Sequence, residues 1–209
     1  MNILSWNCRG AINPNFGTVV SEMIRKLHPA ILIISETKVS GVRAKGIIDR
    51  IPMDGVIVAN SIGLSRGLWV LWDSRQVELT ELSSTEQEIH ALVTSTAKPT
   101  LLLFVVYASP QFAERRLLWD TLTTVAGLHS MPALRFQECL DNCRMIDIGF
   151  NGPRFTWSNH RPLSQLIQTR IDRIFVNAEW NDLYPEAAVF HLEKTHSNHC
   201  SIRLCFENV

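Results

Sequence analysis

The chain has 209 residues, of which 46% are hydrophobic and 19% are charged. A chain of this length and composition can bury a sizeable core, so we expect one globular domain over residues 1–209. Its 20 basic and 20 acidic side chains give a formal net charge of zero. Neutrality disfavours a dedicated, strongly basic nucleic-acid binder. It permits a local basic rim around a site, such as the arginines between Arg154 and Arg173.

Cysteine usage and apolar runs predict the compartment. The five cysteines are an odd number and include no C-x-x-C pair, which indicates reduced thiols. The N-terminal segment has no basic stretch before an apolar run, and the longest apolar run, Leu101 to Val106, is far too short to span a bilayer. We therefore expect a monomeric protein inside the cell, nuclear or cytoplasmic, that is neither secreted nor bound to a membrane.

The start of the chain predicts a strand, a helix and a second strand. A short strand over Asn2 to Asn7 precedes a helix that starts at Asn13-Pro14-Asn15 and shows apolar residues at helical spacing from Phe16 to Leu27. The stretch Ile31 to Glu36 then begins with four apolar residues without alternation, which is typical of a strand buried on both faces. This order indicates a βαβ-like opening.

The middle of the chain predicts mainly β structure. Residues 38–55 contain three glycines and a proline, which indicates a polar loop. Short strands separated by turn residues follow, as in an antiparallel meander. The expected strands are Val56–Ala59, Leu68–Trp72, Val77–Leu82, Ile89–Thr94 and Thr100–Tyr107.

The rest of the chain adds helices and further strands. Apolar spacing predicts helices over Phe112 to Leu128 and around Phe136 to Cys143, which Met131-Pro132 separates. A short strand or loop is expected at Phe155–Trp157, and strands at Thr169–Val176, Ala187–Leu192 and Ile202–Phe206. We expect an α/β fold in which two β-sheets form a sandwich flanked by helices.

Polar residues stand where several of the predicted strands end. They are Asn7, Glu36, Tyr107, Asp172 and His199. A carboxylate can bind Mg²⁺ directly, a histidine oriented by an aspartate can handle a proton, and a tyrosine hydroxyl can donate to a phosphoryl oxygen. If these strand ends share one rim of the sheets, the set suits metal-assisted hydrolysis of a phosphodiester.

Each of these residues also has an ordinary structural explanation. Asn7 can cap a turn, and Tyr107 can be a core aromatic with its hydroxyl at the rim. Asp172 can form an ion pair with the neighbouring Arg170 or Arg173. The residues alone therefore leave both interpretations open.

Several segments, in order along nearly the whole chain, carry a family resemblance. They are Ile3–Gly10, Glu36-Thr37-Lys38, Gly67–Trp72, Val106–Pro110, Phe155–Asn159, Ile171–Asn177 and Ser197–Cys200. These segments are similar to an opening strand followed by E-T-K, G-G-hydrophobic-W, Y-x-x-P, F-T-W-S-N, L-D-R…V-N and a terminal S-D-H. Together they resemble the endonuclease/exonuclease/phosphatase superfamily and, more closely, the endonuclease domain of plant LINE-type (non-LTR) retrotransposons.

The resemblance implies a fold, a cofactor and a set of roles. The fold would be of the four-layer DNase I type, and the activity would be the nicking of DNA at a phosphodiester. Glu36 and Asn7 would hold Mg²⁺ or Mn²⁺, with Glu36 as the direct ligand. Tyr107 would contact the scissile phosphate, and Asp172 would orient His199 against it. The substrate-binding residues at the DNA would be Arg9, Thr156, Trp157 and Asn159.

Two departures from the family pattern bear on activity. The family's G-D-F-N segment, whose Asp positions the attacking water, has no counterpart here. The chain passes from Leu128–Pro132 directly into Ala133–Leu140, which is similar to the helix found after that strand. The resemblance thus implies that a central strand is deleted. Asn198, a catalytic position in the terminal motif, stands where the family has Asp and cannot supply its charge.

Three functions follow as hypotheses. The first is a degenerate metal-dependent DNA endonuclease-like domain of retrotransposon origin with weak or no activity, in effect a pseudoenzyme. The second is a noncatalytic remnant that binds nucleic acid or protein. The third is an active Mg²⁺-dependent phosphodiesterase or phosphatase in which another carboxylate substitutes for the missing Asp. The deletion also predicts that neighbouring strands either pair with each other or leave an open apolar edge.

Overall fold

The computed structural model describes residues 1–60, 66–109, 111–125, 140–141 and 143–207. Its first half contains β1 (Asn2–Asn7), α1 (Phe16–Leu27), β2 (Ile31–Ser35), α2 (Gly41–Ile48), β3 (Gly55–Ala59), β4 (Leu68–Trp72), β5 (Glu78–Ser84), β6 (Glu88–Thr94) and β7 (Leu101–Val106). Its second half contains α3 (Phe112–Val125), β8 (Ile146–Asp147), β9 (Trp157–Ser158), a 3₁₀ turn (Leu163–Gln165), β10 (Gln168–Thr169), β11 (Phe175–Val176), α4 (Ala178–Leu183), β12 (Ala188–His191) and β13 (Ile202–Cys205).

The larger sheet has six strands in the order β12-β13-β1-β2-β4-β3. Strands β1 and β2 pair in parallel, with α1 as the connection between them, so the expected βαβ-like opening is confirmed. Asn7 lies opposite Ser35 in that register, and Glu36 is the next residue after β2. Because parallel strands end at the same edge of a sheet, the side chains of Asn7 and Glu36 leave the core side by side.

The continuous apolar sequence of β2 reflects burial on both faces of this sheet. Ile31 and Ile33 face the second sheet and pack in one core with Ile89 and Val105. The other face packs against α1 and α2, in a second core that contains Leu4, Trp6, Phe16, Val20, Leu32, Ile34, Trp69 and Leu71. Strand β4 is buried along its whole length in the same way.

The second sheet is smaller in the part of the chain that the structure describes. It has three antiparallel strands in the order β5-β6-β7, and within the described ranges β7 forms ladder pairs with β6 alone. Only Val105 of β7 is buried, and the outer positions Leu102 and Val106 are 49% and 40% exposed. Strands β8 and β11 form a separate two-stranded ladder, as do β9 and β10.

This architecture confirms the expected fold class, an α/β sandwich of two sheets flanked by helices. It also confirms the apolar stripe of α1, whose buried residues are Phe16, Val19, Val20 and Met23. Within the described ranges, no helix has both the length and the apolar character needed to cross a membrane. Of the helix expected around Phe136 to Cys143, residues 136–139 and 142 lie outside the described residues. Leu140 and Asp141 are helical, and Cys143 is in a turn.

Two expected elements were wrong. Residues 38–55 contain the helix α2, because Gly41 begins that helix with a left-handed φ of 60° and Ala44 is buried against the larger sheet. The strand expected over Thr169–Val176 is instead two short strands, β10 and β11, that pair with different partners. Between them the backbone N–H groups of Ile171 and Asp172 donate to the Thr156 hydroxyl and take no part in a ladder.

Candidate active site

One half of the site is built around the carboxylate of Glu36. The Asn7 amide at the end of β1 donates to Glu36 Oε1 over 2.9 Å, and the Tyr107 hydroxyl at the end of β7 donates to the same oxygen over 3.2 Å. Burial, followed by the charge of Glu36 and the hydrogen bond to it, raises the pKa of Tyr107 to about 12. The phenol is therefore protonated at neutral pH, when it acts as a donor.

Two cations face the other oxygen of that carboxylate. Lys38 Nζ lies 3.0 Å from Glu36 Oε2, and Arg9 Nε lies 3.9 Å from it. Burial alone would raise the pKa of Glu36, but the hydrogen bonds from Asn7 and Lys38 and the nearby positive charges outweigh it and hold that pKa below its usual value. Glu36 is therefore ionised at neutral pH.

The loops that carry these groups have unusual backbone torsions. Arg9, Glu36 and Lys38 all adopt left-handed φ angles, of 55°, 53° and 55°, and His196 on the facing loop has a φ of 54°. Non-glycine residues rarely adopt this region, and such torsions concentrate at functional sites. Between them Thr37 is completely buried, so the side chains of Glu36 and Lys38 both point to the rim while Thr37 anchors the turn.

The other half of the site is a histidine held by an aspartate. His199 Nδ1 lies 3.0 and 3.2 Å from the two oxygens of Asp172, and the histidine is buried. Two backbone N–H groups, of Ile171 and Asp172, donate to Thr156 Oγ1 over 3.1 Å each, which fixes the loop that carries the aspartate. This leaves Nε2 as the ring nitrogen of His199 that is available to a ligand.

A serine joins the two halves. Ser197 Oγ donates to the backbone carbonyl of Asn7 over 2.7 Å and accepts from the backbone N–H of His199 over 3.1 Å. His199 also forms an isolated antiparallel β-bridge, through its backbone, with Trp157 at the start of β9. The predicted catalytic residues Asn7, Tyr107, Asp172 and His199 therefore lie at one rim of the sandwich.

Asn198, the remaining predicted catalytic residue, is turned toward the backbone of β9. Its amide nitrogen donates to the Ser158 carbonyl over 3.1 Å, while the Ser158 N–H donates to the Asn198 carbonyl over 3.2 Å. Its side-chain oxygen is buried and has no hydrogen-bond partner in the described part of the chain. A carboxylate in the same rotamer would place one oxygen against the Ser158 carbonyl, so the local structure suits an amide.

The predicted DNA-contacting residues divide into two kinds. Arg9 is half exposed at the rim, and Trp157 is partly exposed, so both can meet a ligand. Thr156 is completely buried, and the prediction of a direct DNA contact does not fit its position. The Asn159 amide donates to the Gln165 carbonyl over 2.8 Å and its oxygen accepts from the Ile167 N–H over 3.0 Å, so it holds its own loop together.

The ordinary ion pair considered for Asp172 is formed by another residue. Arg170 makes a two-pronged pair with Asp147, with distances of 2.8 and 2.7 Å, and Arg173 adds a third contact of 3.2 Å. The carboxylate of Asp172 contacts His199 instead. This outcome favours the interpretation of Asp172 as part of the site.

Sequence reasoning missed Arg66. Its backbone carbonyl accepts from the Lys38 N–H over 3.0 Å, and its guanidinium pairs with Glu86 over 2.7 Å and with Glu114 at the start of α3. The Ser109 hydroxyl also donates to Glu114. Arg66 therefore links the turn at Glu36 to the second sheet. No spacing in the sequence signals this role, because Arg66 lies in a loop of otherwise ordinary composition.

The residues expected to hold Mg²⁺ or Mn²⁺ do not fit a metal ion as they are arranged. Asn7 turns its nitrogen, which is not a ligand atom, toward Glu36, and its oxygen accepts from the Arg9 N–H over 3.2 Å. Lys38 already lies against the other carboxylate oxygen. Burial raises the pKa of the nearby Cys8 to about 12, so it is a thiol and a poor ligand. In the described ranges, no three His, Cys, Asp or Glu side chains converge on one point.

Comparison with solved structures places this geometry in a known fold. The AP endonuclease of Leishmania major superposes with a TM-score of 0.71 at 12% identity, over 97% of this chain and 86% of that one. The endonuclease domain of TRAS1, a telomere-specific non-LTR retrotransposon, gives 0.70 at 13% identity, over 97% and 96%. TDP2 of D. rerio, complexed with a single-stranded DNA product, gives 0.66 at 17% identity, over 98% and 97%.

These likenesses establish the fold alone, which is a DNase I-like fold. No protein-family model matches the sequence, and no curated protein matches it.

Proposed function

We propose that this chain is a degenerate DNA endonuclease-like domain of retrotransposon origin, which binds DNA at its phosphates and hydrolyses them weakly or not at all. The nuclease-type fold and the DNA product in the TDP2 structure support DNA as the partner. The likeness to the TRAS1 endonuclease domain supports a retrotransposon origin. The motifs typical of plant LINE endonucleases, described above, point in the same direction.

One observation carries the proposal. The groups that would contact a phosphate remain together at the rim, namely Tyr107, the His199–Asp172 pair and the cations Arg9 and Lys38. No group that would activate a water is found with them among the described residues. Glu36 is the carboxylate of this half there, and its two oxygens already accept from protein donors. The arrangement therefore suits binding better than hydrolysis.

The retained residues have definite roles toward a phosphodiester. The Tyr107 hydroxyl and the Arg9 guanidinium are donors for phosphoryl oxygens. His199 Nε2, with its ring fixed by Asp172 through Nδ1, can donate a proton to a phosphate or leaving oxygen. The attacking water has no base in this set, and removing one member of a cooperating catalytic group costs most of the rate.

The alternative of a substitute carboxylate finds little support among the described residues. Glu114, which lies beyond Tyr107, is bound by Arg66 and Ser109. Asp147 is bound by arginines. A third candidate is Glu88, which is buried and paired with His90 Nε2 at 3.0 Å. Each of these carboxylates is already bound by other residues. We therefore favour the degenerate domain over an active phosphodiesterase.

The test is the nicking of supercoiled plasmid in Mg²⁺ or Mn²⁺ by protein shown to be folded by circular dichroism. We expect the wild-type protein to nick no more than Glu36→Ala and His199→Ala. His196→Ala, which removes an exposed histidine of the same loop, is the matched control. Strong nicking that Glu36→Ala and His199→Ala abolish, and that His196→Ala leaves intact, would show that the domain is an active nuclease.

An attempted rescue sharpens that test. We expect Asn198→Asp to restore little activity, because the amide of Asn198 donates to the Ser158 carbonyl and a carboxylate cannot. Strong nicking by this variant would mean that Asn198 alone causes the loss of activity. It would contradict the proposal that other parts of the catalytic site are also lost.

A DNA-binding measurement distinguishes the proposed DNA-binding domain from a remnant that binds only protein. A labelled oligonucleotide should bind with an affinity that falls as salt rises, since Arg9 and Lys38 would neutralise phosphates. Binding without salt dependence, or no binding at all, would contradict the proposal and leave a protein-binding role.

A further inference from the structure

Arg66 connects the two sheets at the rim of the candidate site. It precedes β4 of the larger sheet, and its backbone carbonyl accepts from the N–H of Lys38 over 3.0 Å. Its guanidinium pairs with Glu86 over 2.7 Å, in the turn between β5 and β6, and with Glu114 in the first turn of α3. One residue thus contacts the turn after β2, the β5–β6 turn of the second sheet and the start of α3.

The segments that pair with Arg66 also hold the backbone around Tyr107. The Tyr107 N–H donates to the backbone carbonyl of Gln87 over 2.7 Å. Two residues further on, the N–H of Ser109 donates to the side chain of Gln87 over 3.1 Å, and the hydroxyl of Ser109 donates to Glu114. The Gln87 amide in turn donates to the backbone carbonyl of Glu114 over 3.1 Å. A hydrogen-bonded network therefore holds the end of β7, and Arg66 ties that network to the larger sheet.

The backbone of Arg66 is in an uncommon conformation. Its φ of 65° is left-handed, a region that glycine enters freely and other residues rarely adopt. When aligned on Gly67-Leu68-Trp69, the G-G-hydrophobic-W pattern has a glycine at this position, so the guanidinium is a feature of this chain and not of that pattern. A strained residue persists where the surrounding contacts fix it. Here those contacts are the two ion pairs of the side chain.

We propose that Arg66 is a positioning residue for DNA binding, which holds the Tyr107 hydroxyl at the rim through its ion pairs with Glu86 and Glu114. The inference rests on the proposed function and adds the residue that sets the geometry of one of its phosphate donors. Within the described ranges, β7, which ends beside Tyr107, has β6 as its one ladder partner, so strand pairing anchors it on one side. Arg66 supplies the anchor toward the larger sheet, where the Tyr107 hydroxyl meets Glu36 at 3.2 Å.

The charge of Arg66 also reaches the phenol that it positions. Burial and the charge of Glu36 raise the pKa of Tyr107 to about 12, and the positive charges of Arg66 and Arg9 oppose that rise. The Arg66 side chain is 12% exposed, and its guanidinium already pairs with two carboxylates. Arg66 therefore acts on a ligand through Tyr107 rather than by direct contact.

The first test measures the affinity for a labelled single-stranded oligonucleotide by fluorescence anisotropy. Arg66→Gln should weaken binding by about fivefold, the value of one hydrogen bond, because Tyr107 is no longer held in place. The control is Arg75→Gln, which removes an exposed arginine at the opposite end of β4 and should bind like the wild type. In a Tyr107→Phe background, Arg66→Gln should weaken binding no further. A full additional loss in that background would mean that Arg66 acts independently of Tyr107 and would overturn the inference.

A second variant separates positioning from charge. Glu114→Gln breaks the pair with Arg66 but also removes a negative charge, which by itself would favour the binding of DNA. We expect this variant to weaken binding, as Arg66→Gln does, because the end of β7 loses the same tether. Tighter binding by Glu114→Gln would mean that Arg66 contributes charge alone and would overturn the inference.

A spectroscopic measurement on the free protein tests the position of Tyr107 directly. The chain has two tyrosines, so incorporation of fluorotyrosine gives one fluorine NMR signal for each, and Tyr107→Phe assigns them. Arg66→Gln should shift or broaden the Tyr107 signal and leave unchanged that of Tyr184, which lies in the core. An unchanged Tyr107 signal would overturn the inference, whatever the affinity for DNA.

The outcomes keep the two proposals apart. Wild-type binding to DNA that neither Arg66→Gln nor Glu114→Gln weakens would overturn this inference and leave the proposed function standing. A wild-type protein that binds no DNA would overturn the proposed function, and with it the role of Arg66 in binding. Circular dichroism of each variant shows whether a lost affinity comes from unfolding. If Arg66→Gln is unfolded, the affinity and the fluorine signals of Glu114→Gln decide the matter in the same way.

Discussion

The two sheets of the sandwich differ sharply in how two of their apolar strands, β2 and β7, are covered. In the six-stranded sheet, β2 has neighbours on both sides and four of its five residues are buried. In the three-stranded sheet, β7 has one neighbour within the described ranges and a single buried residue. In sequence, β7 is apolar at all six positions and β2 at four of its five. Composition alone therefore does not decide burial; β2 is covered by the second sheet on one face and by α1 and α2 on the other.

The residues of the candidate site also differ in how well the strands that carry them are covered. Asn7 and Glu36 leave adjacent strands of the fully paired sheet, and their loop is held by several backbone hydrogen bonds. Tyr107 leaves the sparsely covered β7. The implied deletion of a central strand would fall beside β7, where the family carries its water-positioning Asp. Under the proposed function, the binding groups of the first sheet would be preserved, and the catalytic loss would be concentrated in the second.

The largest effect should come from a matched truncation in the strands β2 and β7. Leu32 of β2 is fully buried, whereas Leu102 of β7 is 49% exposed. We expect Leu32→Ala to lower the free energy of unfolding by about 3 kcal/mol and Leu102→Ala by less than about 1 kcal/mol, since only the first leaves a cavity. Urea unfolding measures both values. Equal losses would mean that β7 is as well buried as β2 and would contradict the difference described between the two strands.

A smaller loss is expected where the site is anchored beside the larger sheet. Thr156→Val removes the acceptor for two partly buried N–H groups, those of Ile171 and Asp172, and should cost about 1 kcal/mol. Thr156→Ser keeps that oxygen and should recover most of the loss. In nuclear magnetic resonance spectra, the ring signals of His199 should shift in the valine variant, because the loop that carries Asp172 is released. Unchanged signals would contradict the anchoring role.

The ion pair of the site should appear in the pH dependence of stability. The pKa of Glu36 is lower in the folded than in the unfolded state, so its contribution is present above the unfolded value and is lost as the pH falls through the folded one. We expect Glu36→Gln to be less stable than the wild type at neutral pH, by at most about 1 kcal/mol. This gap should close below pH about 4.

Urea midpoints at a series of pH values measure that gap. Glu22→Gln, in an exposed pair with Lys26 on α1, is the control and should show no comparable gap. A gap for Glu36→Gln that widened in acid would reverse the assigned direction of the pKa shift.

The smallest effect should be on self-association at the sheet edges. Val106 of β7 and Val56 of the edge strand β3 are both 40% exposed. We expect Val106→Lys to reduce light scattering at high protein concentration and Val56→Lys to change it little, because β7 presents a longer run of partly exposed apolar residues. Similar changes in both variants would mean that the two edges are equally protected.

Much of the fold could be predicted from periodicity. The apolar run of β2, the helical spacing of α1 and the turn residues of the meander each reflect local chemistry that dominates in a buried element. Helix α2 was not predicted, because its two glycines are turn signals and its packing comes from one buried alanine, Ala44, and two partly buried isoleucines, Ile47 and Ile48. The strand expected over Thr169–Val176 was divided by a distant hydroxyl, that of Thr156, which no local pattern reveals.

The site was predictable as a set of residues but not as a set of contacts. Strand ends and motifs together indicated Glu36 and its partners, and the pairing of His199 with Asp172 followed from the same resemblance. The opposing position of Lys38 depends on two left-handed torsions, and the tether through Arg66 joins segments far apart in the chain. Both features depend on how distant parts of the backbone fold together, so no local sequence pattern predicts them.

The left-handed torsions at Arg9, Glu36, Lys38 and His196 also have a kinetic consequence. Each torsion is set when the chain folds, so an arriving ligand meets loops that need no slow rearrangement. Association is then governed by encounter and by the steering field of the exposed cations, and it should be rapid at low ionic strength. For the proposed DNA ligand, residence time would depend on the few contacts made afterwards, so we expect both rapid capture and rapid release.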